Sequence, residues 1–382
     1  MPSIEPTAHP VTATIDLSAI AANVRRVREI SGAPRIMAVV KADGYGHGIA
    51  QAARAVLAGG ADQLGVATLD EARALREAGI TAPVLCWLWL PDQDIAGAVG
   101  NDVDLGVASL AHLDAVIKAG QHVGKRPRVT ITVDTGMNRN GFSAINGDLS
   151  AAAPRIAQAH GEGLIDVTGA ATHFSNADDP DDPSIDMQAD RFRAAIAELR
   201  AEGLTLPVNH AANSAASLSR PDLVFDMIRP GLVNYGLEPI AGRSHGLVPA
   251  MTLSARIGLV KDVPAGEAVS YGRTWNTDHD TRVAVVPFGY ADGMPRSLSD
   301  RCSVWCHGTR FHQIGRVCMD QFVIEVDDSV HTGDEVVIFG PGAAGNQPGA
   351  PTADELAETL GTINYEIVTM PRGRTVRRYI ES

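Results

Sequence analysis

Residues 35–48 read RIMAVVKADGYGHG, a short apolar run that stops at Lys41 and gives way to a glycine-rich turn. An unbroken run rich in Val and Ile suits a strand covered on both faces, because β-branched side chains pack well on a pleated surface with no solvent side. The same punctuation recurs outward along the chain: QLGVA (63–67) before Thr68, PVLCW (83–87), VDLGVA (103–108) before Ser109, RVTITV (128–133) before Asp134, DVTGAAT (166–172) before His173, LPVNH (206–210), and VFDMI (224–228) before Arg229. Ala-rich stretches of helical period lie between them, the pattern of a parallel sheet built through crossover helices. About eight such runs between residue 18 and about 230 is the count that closes a (β/α)8 barrel of the TIM type, whereas an open doubly wound sheet stops more often at five or six. Ser18 is expected to cap the helix AIAANVRRVREI (19–30), which Gly32 and Pro34 end, and Ser184 or Asp186 to open a long helix ending near Gly203.

After about residue 248 the rhythm changes to alternating strands such as MTLSARIGLV (251–260), TRVAVVPF (281–288), FHQIGRVCMDQFVIEV (311–326) and DEVVIFG (334–340), joined by Gly and Pro turns. That pattern predicts a mostly β second domain. The expected division is therefore an α/β barrel over 12–245 and a β-rich C-terminal domain over 246–382. HPVTATIDL (9–17) also alternates, which makes residues 1–11 candidates to join the second domain. GPGAAGNQPGAP (340–351) reads as a loop before a short helix capped by Thr352.

Composition fits a folded globular chain: 382 residues, 45% apolar and 20% charged, a length at which one core usually stops growing and a second domain is expected. The net charge of −13 argues against nucleic acid or an anionic membrane as partner, since neither is attracted to an acidic surface. The opening MPSIEPTAHPVTATIDL lacks the basic start and apolar run of a secretion signal, and no stretch nears the roughly 18 apolar residues of a membrane span. A cytoplasmic location is the expectation, and Cys86, Cys302, Cys306 and Cys318 are too unevenly placed for a disulfide framework. Cys302, Cys306, His307 and His312 in CSVWCHGTRFH (302–312) invite a metal reading, but the segment alternates like a strand and lacks a paired CxxC, so no metal is expected.

Polar residues that would be odd in an apolar core fall just after the strand ends: Lys41, Arg139, His173, His210, Asn213, Ser214 and Arg229. A barrel places all those ends on one face, where barrel enzymes hold substrate and where the loops after the last two strands favour phosphate. Each residue alone has a plain reading. A lysine at such a boundary usually snorkels to solvent, Asn213 and Ser214 can simply cap a short helix, and a histidine near a strand end is more often structural. Together, a lysine, phosphate donors and a cation able to face a ring nitrogen are the parts of a pyridoxal-phosphate site, and no acidic pair suggests metal or glycoside chemistry.

The motifs AVVKADGYGHG, VDTGMNRNGF, THFSNAD, HAANSAAS, RPGLVNYGL, VSYGRTW, PFGYADGMPR, GRVCMDQ and LGTINYEIVT, in this order between about residues 13 and 380, resemble those of the bacterial alanine racemase family. The resemblance implies a barrel followed by a C-terminal β domain, pyridoxal 5'-phosphate as cofactor, and interconversion of L- and D-alanine that supplies D-alanine for peptidoglycan. It implies that Lys41 holds the cofactor as a Schiff base and then acts as base on one face of the α-carbon, with Tyr271 on the other. It also implies a head-to-tail homodimer in which Tyr271 enters the partner's barrel. Racemisation needs such an opposed pair, because a proton leaves one side and returns on the other.

By the same resemblance Arg229 faces the pyridine nitrogen, supported by His210, and His173 lies beside the ring. A guanidinium keeps its proton, so it donates a hydrogen bond without protonating the ring, which limits transamination. Phosphate falls to Tyr45, Ser214, Gly231, the backbone of Leu232, and Tyr365, with Asn213 ordering the region. The substrate carboxylate falls to Arg139 and to the backbone of Met319 from the partner, while Tyr290 and Asp320 line the entrance.

One position departs from the family pattern. Many members carry a carbamylated lysine two residues before the Asp of VDTG, and here that residue is Thr132. A bound anion such as chloride is expected near Arg139 instead, since removing the negative partner would leave this cation uncompensated. Rival readings are a serine or broad-specificity racemase, a barrel-fold amino-acid decarboxylase, which would lack the opposing tyrosine and favour an acid at the ring nitrogen, and a noncatalytic cofactor-handling barrel, which would lack the second domain.

Overall fold

A computed structural model describes residues 9–341 and 349–381. Residues 1–8 and 342–348, within the stretches discussed as a possible addition to the second domain and as the Gly/Pro loop, lie outside the described residues. The chain forms two compact units: one of residues 20–44 and 48–248, the other containing residues up to Ala19, Tyr45–His47 and Pro249 onward.

In the first unit the apolar runs become parallel strands in sequence order, Met37–Val39, Gln63–Val66, Val84–Cys86, Val103–Val107, Arg128–Asp134 and Asp166–Ala171. The last two turns of the sheet are made by bridges: Ala171 pairs with His210, and Ile228 pairs back with Ile36. Hydrogen bonds from Val208 N to Thr168 O (3.1 Å), Met37 N to Ile228 O (2.9 Å) and Val39 N to Pro230 O (2.9 Å) complete the ring, so the (β/α)8 barrel expected from the count of runs is the architecture found. Met37, Leu64, Val66, Val84, Leu105, Val129 and Ile131 are fully buried, each contributing about 1.5–3 kcal/mol by leaving water. Glycine allows close approach within the barrel, as two positions illustrate. A Cβ on Gly169 would lie 1.7 Å from Val208 O, and one on Gly65 2.8 Å from the Trp87 ring that fills the barrel.

The crossover helices start where short polar residues follow the strands. Thr68 and Glu71 form a reciprocal capping box on Leu69–Glu77, Ser109 caps Leu110–Val123, and Asn213 caps Ser214–Ser219. The helix Leu17–Ser31 corrects one expectation: its cap is Asp16, whose carboxylate accepts from Ser18 N (2.9 Å) and Ala19 N (3.0 Å), rather than Ser18. A carboxylate accepts two amides at once, which a single hydroxyl two residues later cannot match.

The second unit is a nine-stranded sheet, with Val11–Asp16 lying between Met251–Arg256, antiparallel, and Val376–Ile380, parallel. Its remaining strands are Leu259–Val263, Thr281–Val286, Ser303–Cys306, Thr309–Ile314, Phe322–Val326 and Glu335–Phe339. Thr352 caps Ala353–Leu360 by accepting from Glu355 N. Among the described residues no helix is long and apolar enough to cross a membrane.

Candidate active site

Lys41 follows strand Met37–Val39, and the backbone beyond it is forced into an uncommon shape. Ala42, Asp43 and Gly44 all have positive φ (53°, 54° and 63°), a left-handed turn that costs residues with a Cβ about 1–2 kcal/mol each. The turn is held by Gly44 N donating to Val40 O (2.9 Å), Ile49 N donating to Asp43 Oδ1 (2.8 Å) and Ala42 N donating to Glu71 Oε1 (2.7 Å). Glu71 Oε2 also accepts from Ala67 N and Thr68 N. The turn thus fixes where the lysine leaves the barrel wall. Burial, and then the nearby Arg139 guanidinium, pull the Lys41 ammonium below its usual range, with Glu71 opposing, so neutral amine becomes accessible.

Arg229, just after the bridge that closes the barrel, is held by acceptors with no formal charge. Its Nη1 reaches His210 Nδ1 (2.8 Å) and His210 O (2.7 Å), and its Nη2 reaches Thr172 O (2.6 Å), Ala211 O (3.3 Å) and His173 Nδ1 (3.3 Å). No carboxylate pairs with it among the described residues. Burial and Arg139 lower it to about 10, which leaves it charged at neutral pH. Both histidines are driven neutral: burial and then the charges of Arg229, Arg139 and Lys41 take His173 down to about 3, and burial with Arg229 takes His210 well below the imidazole range. With Nδ1 accepting from the guanidinium, each ring presents Nε2–H.

Arg139 is exposed, and no hydrogen bond or ion pair forms from it among the described residues. Thr132 is half-buried on strand Arg128–Asp134, its hydroxyl oxygen facing Gly106, 3.3 Å from where a Cβ would stand. Beside the last bridge Ser214 Oγ accepts from Gly231 N (2.9 Å), which ties the start of helix Ser214–Ser219 to the turn Leu232–Tyr235. The strand ends therefore gather Lys41, Arg139, His173, His210, Asn213, Ser214, Arg229, Gly231 and Leu232 in one unit. Lys41, Arg139 and Arg229 stand there, and Glu71, the carboxylate that opposes the lowering of Lys41, is already engaged by the amides of Ala42, Ala67 and Thr68.

The other anticipated residues belong to the second unit. Tyr45 and Tyr365 lie with ring centroids 6.1 Å apart. Tyr271 opens a short turn and is 69% exposed. Ser270 before it has φ 68°, and its hydroxyl donates to Arg316 O (2.6 Å). Tyr290 N donates to Cys318 O (3.1 Å) and Ala291 N to Met319 O (3.0 Å), so the loops carrying Tyr290 (38% exposed) and Met319 (53% exposed) are zipped together. Asp320 accepts from Arg374 Nη1 (2.8 Å), and Arg374 also clamps the buried Asp292.

Sequence reasoning passed over Glu71, the Thr172 carbonyl, and the pair Ser270 and Arg316. The motif Thr68-x-x-Glu71 was a legible capping signal, but its second use, accepting from Ala42 N across to the preceding βα turn, left no mark in local spacing.

Comparison with known proteins agrees with this architecture. Residues 15–239 match the family model for the alanine racemase N-terminal domain, and residues 250–379 that for the alanine racemase C-terminal domain. The chain is 49% identical to an alanine racemase of Corynebacterium efficiens, over 97% of this chain and 98% of that protein. It is 47% identical to one of Mycobacterium ulcerans, over 97% and 95% respectively. The crystal structure of an alanine racemase from a D-cycloserine-producing Streptomyces lavendulae superposes with a TM-score of 0.93 at 42% identity, covering 99% of this chain and 98% of that one. With both family models matched across nearly its whole length, the chain belongs to the alanine racemase family.

Proposed function

We propose that this protein interconverts L- and D-alanine with pyridoxal 5'-phosphate as cofactor, using Lys41 and the partner's Tyr271 as its two acid/base groups. The observation that carries this reading is Arg229, a charged guanidinium held by two neutral imidazoles and backbone carbonyls without a carboxylate. The donor set fits the cofactor: an amine loosened by burial for its aldehyde, a permanent cation for its ring nitrogen, and Ser214, Gly231, Leu232 and Asn213 gathered where a dianion benefits from neutral donors. Tyr45 and Tyr365 are assigned to the same phosphate as phenol donors.

When bound, the cofactor supplies a conjugated ring that withdraws electrons from the substrate's α-carbon. Lys41 Nζ, once free, takes or returns the α-proton on one face, and burial, which lowers its pKa, makes the neutral amine easier to reach. The Tyr271 hydroxyl does the same on the opposite face. Arg229 donates a hydrogen bond to the ring nitrogen but does not surrender its proton, so the ring's electron demand stays moderate and transamination is held down. His173 lies beside the ring as a neutral imidazole, and His210 fixes the direction of Arg229 as a positioning residue. Arg139 takes the substrate carboxylate through its planar fork. An anion such as chloride stands near it, because Thr132 cannot form a carbamate.

The working assembly in this reading is a head-to-tail homodimer, with Met319 contributing its backbone to the partner's substrate and Tyr290 and Asp320 lining the entrance. Exposure of the large side chains of Tyr271, Met319 and Tyr290 supports it, since apolar groups of that size are usually covered where they act. The setting is the cytoplasm and the product D-alanine serves peptidoglycan. The test is purified protein given L- and D-alanine separately, with chiral product analysis and assay of released carbon dioxide. Lys41→Ala and Tyr271→Phe are each expected to lose at least about 10²-fold in racemisation. Retained racemisation in both would overturn the two-base assignment, and carbon dioxide from the substrate carboxyl would favour a decarboxylase.

A further inference from the structure

The β-rich unit carries a cluster that racemisation leaves unused. Strand Ser303–Cys306 turns at His307 and Gly308 into Thr309–Ile314, with Cys306 paired to Thr309. Both turn residues have positive φ, 49° and 88°, as a tight two-residue hairpin requires. His307 is therefore set out at the tip while Cys306 stays buried behind it. On the other side Trp305 pairs with Val337, which brings the loop His331–Asp334 to the same end of the sheet. One donor atom each from Cys306, His307 and Asp334 lies within 4.8 Å of the others. His331 adds a second imidazole just outside that group, with Nδ1 3.9 Å from Asp334 Oδ2 and 3.1 Å from Ser329 O, so it must turn inward to bind.

We propose that Cys306, His307 and Asp334, with His331 as fourth ligand, bind a divalent cation of the zinc class. A thiolate, imidazoles and a carboxylate are the ligand types that such borderline ions take in tetrahedral sites. Bonds of about 2.0–2.3 Å place tetrahedral donors about 3.3–3.8 Å apart, so the three donors need only modest inward movement. The field is right as well: the carboxylates of Asp334, Asp327 and Glu335 surround the Cys306 thiol with negative charge that attracts a dication. On binding, the thiol gives its proton to solvent and thiolate plus carboxylate neutralise the ion.

The ordinary alternative is the exposed ion pair between His307 Nε2 and Asp334 Oδ2 at 2.9 Å. Such a pair contributes about 0–1 kcal/mol, and it makes no use of the buried Cys306 thiol beside it. Cys302 and His312, grouped with these residues by sequence, sit at the far end of the hairpin, where Ser303 faces His312. The ligands that complete the set come from another loop, which is why no CxxC spacing announced it. Strand Thr309–Ile314 runs directly into Gly315–Asp320, so the ion would clamp the hairpin from which the Met319 loop emerges. This inference does not depend on the proposed cofactor chemistry.

Untagged holoenzyme, treated with a chelator and desalted, is titrated with zinc and in parallel with cobalt(II). The expected results are one ion per chain, the visible d–d bands of tetrahedral cobalt, and a higher Tm with zinc. Cys306→Ser, His307→Ala and Asp334→Asn should each weaken zinc binding at least about tenfold, while His312→Ala leaves it unchanged. His307 is exposed, so its variant keeps the test valid if the buried Cys306→Ser fails to fold. Absence of stoichiometric zinc, an octahedral cobalt spectrum, or full affinity in His307→Ala and Asp334→Asn would overturn the proposal.

Discussion

Arg229 Nη1 meets His210 Nδ1 at 2.8 Å, and the same nitrogen reaches the His210 carbonyl at 2.7 Å, so one histidine holds one end of the guanidinium with both its ring and its backbone. Because burial and Arg229 keep that ring neutral, the contact is a cation donating to an uncharged acceptor. Replacing His210 by Ala leaves an N–H of a desolvated cation without its ring partner, which costs about 1–3 kcal/mol. His210→Ala should therefore lower Tm and reduce kcat more than it raises KM. Thermal denaturation with steady-state kinetics checks this, and wild-type values for both would show that Arg229 does not need the imidazole.

Arg229→Glu puts an acid where the ring nitrogen is expected. That side chain can share a proton with the nitrogen, raising electron demand. Racemisation should fall by about 10²-fold or more, while pyruvate formed from alanine rises relative to wild type. Coupled detection of pyruvate decides the point, and an unchanged ratio of pyruvate to racemised alanine would remove Arg229 from control of the ring.

His173 is held at about 3 against an ordinary value of 6.5, and His210 shifts in the same direction. Between those values the unfolded chain binds protons that the folded chain refuses, so stability is full above about pH 6.5 and is lost as pH falls toward 3. Denaturation midpoints measured from pH 7.5 down to 4 should fall steadily. The fall should be smaller in His173→Gln. Identical pH profiles for that variant and wild type would contradict the burial of a neutral ring.

The barrel was legible because short runs rich in Val and Ile, such as IMAVV and VTITV, are mostly buried on both faces and recur between Ala-rich helical stretches. Lys41, Arg229 and His210 were legible because each ends such a run at the same edge of the sheet. What stayed hidden depends on contacts between distant segments. Glu71 reaches Ala42 from the next crossover helix, the left-handed path begins on Ala42 and Asp43, which carry a Cβ, before Gly44, and Asp334 joins Cys306 only through pairing of strands. Asp16 replaced Ser18 as a helix cap because the helix begins at Leu17, two residues earlier than its Ala-rich pattern suggests.

Arg139 is an exposed cation that finds no protein acceptor among the described residues, and Thr132 offers no charge to orient it. KM for alanine should therefore depend on chloride, falling several-fold between chloride-free buffer and high millimolar chloride at constant ionic strength. Bromide soaked into crystals should give anomalous density beside Arg139. A KM indifferent to halide, with no anomalous peak, would mean that protein groups orient Arg139 unaided.

The opposed pair of bases is tested most directly by following the α-hydrogen of each enantiomer in D₂O with Tyr271→Phe. If Lys41 and Tyr271 work on opposite faces, the variant should still exchange the α-hydrogen of one enantiomer without inverting it, and should do almost nothing to the other. Equal exchange of both enantiomers by the variant, or inversion at the wild-type rate, would show that the tyrosine is not the second base.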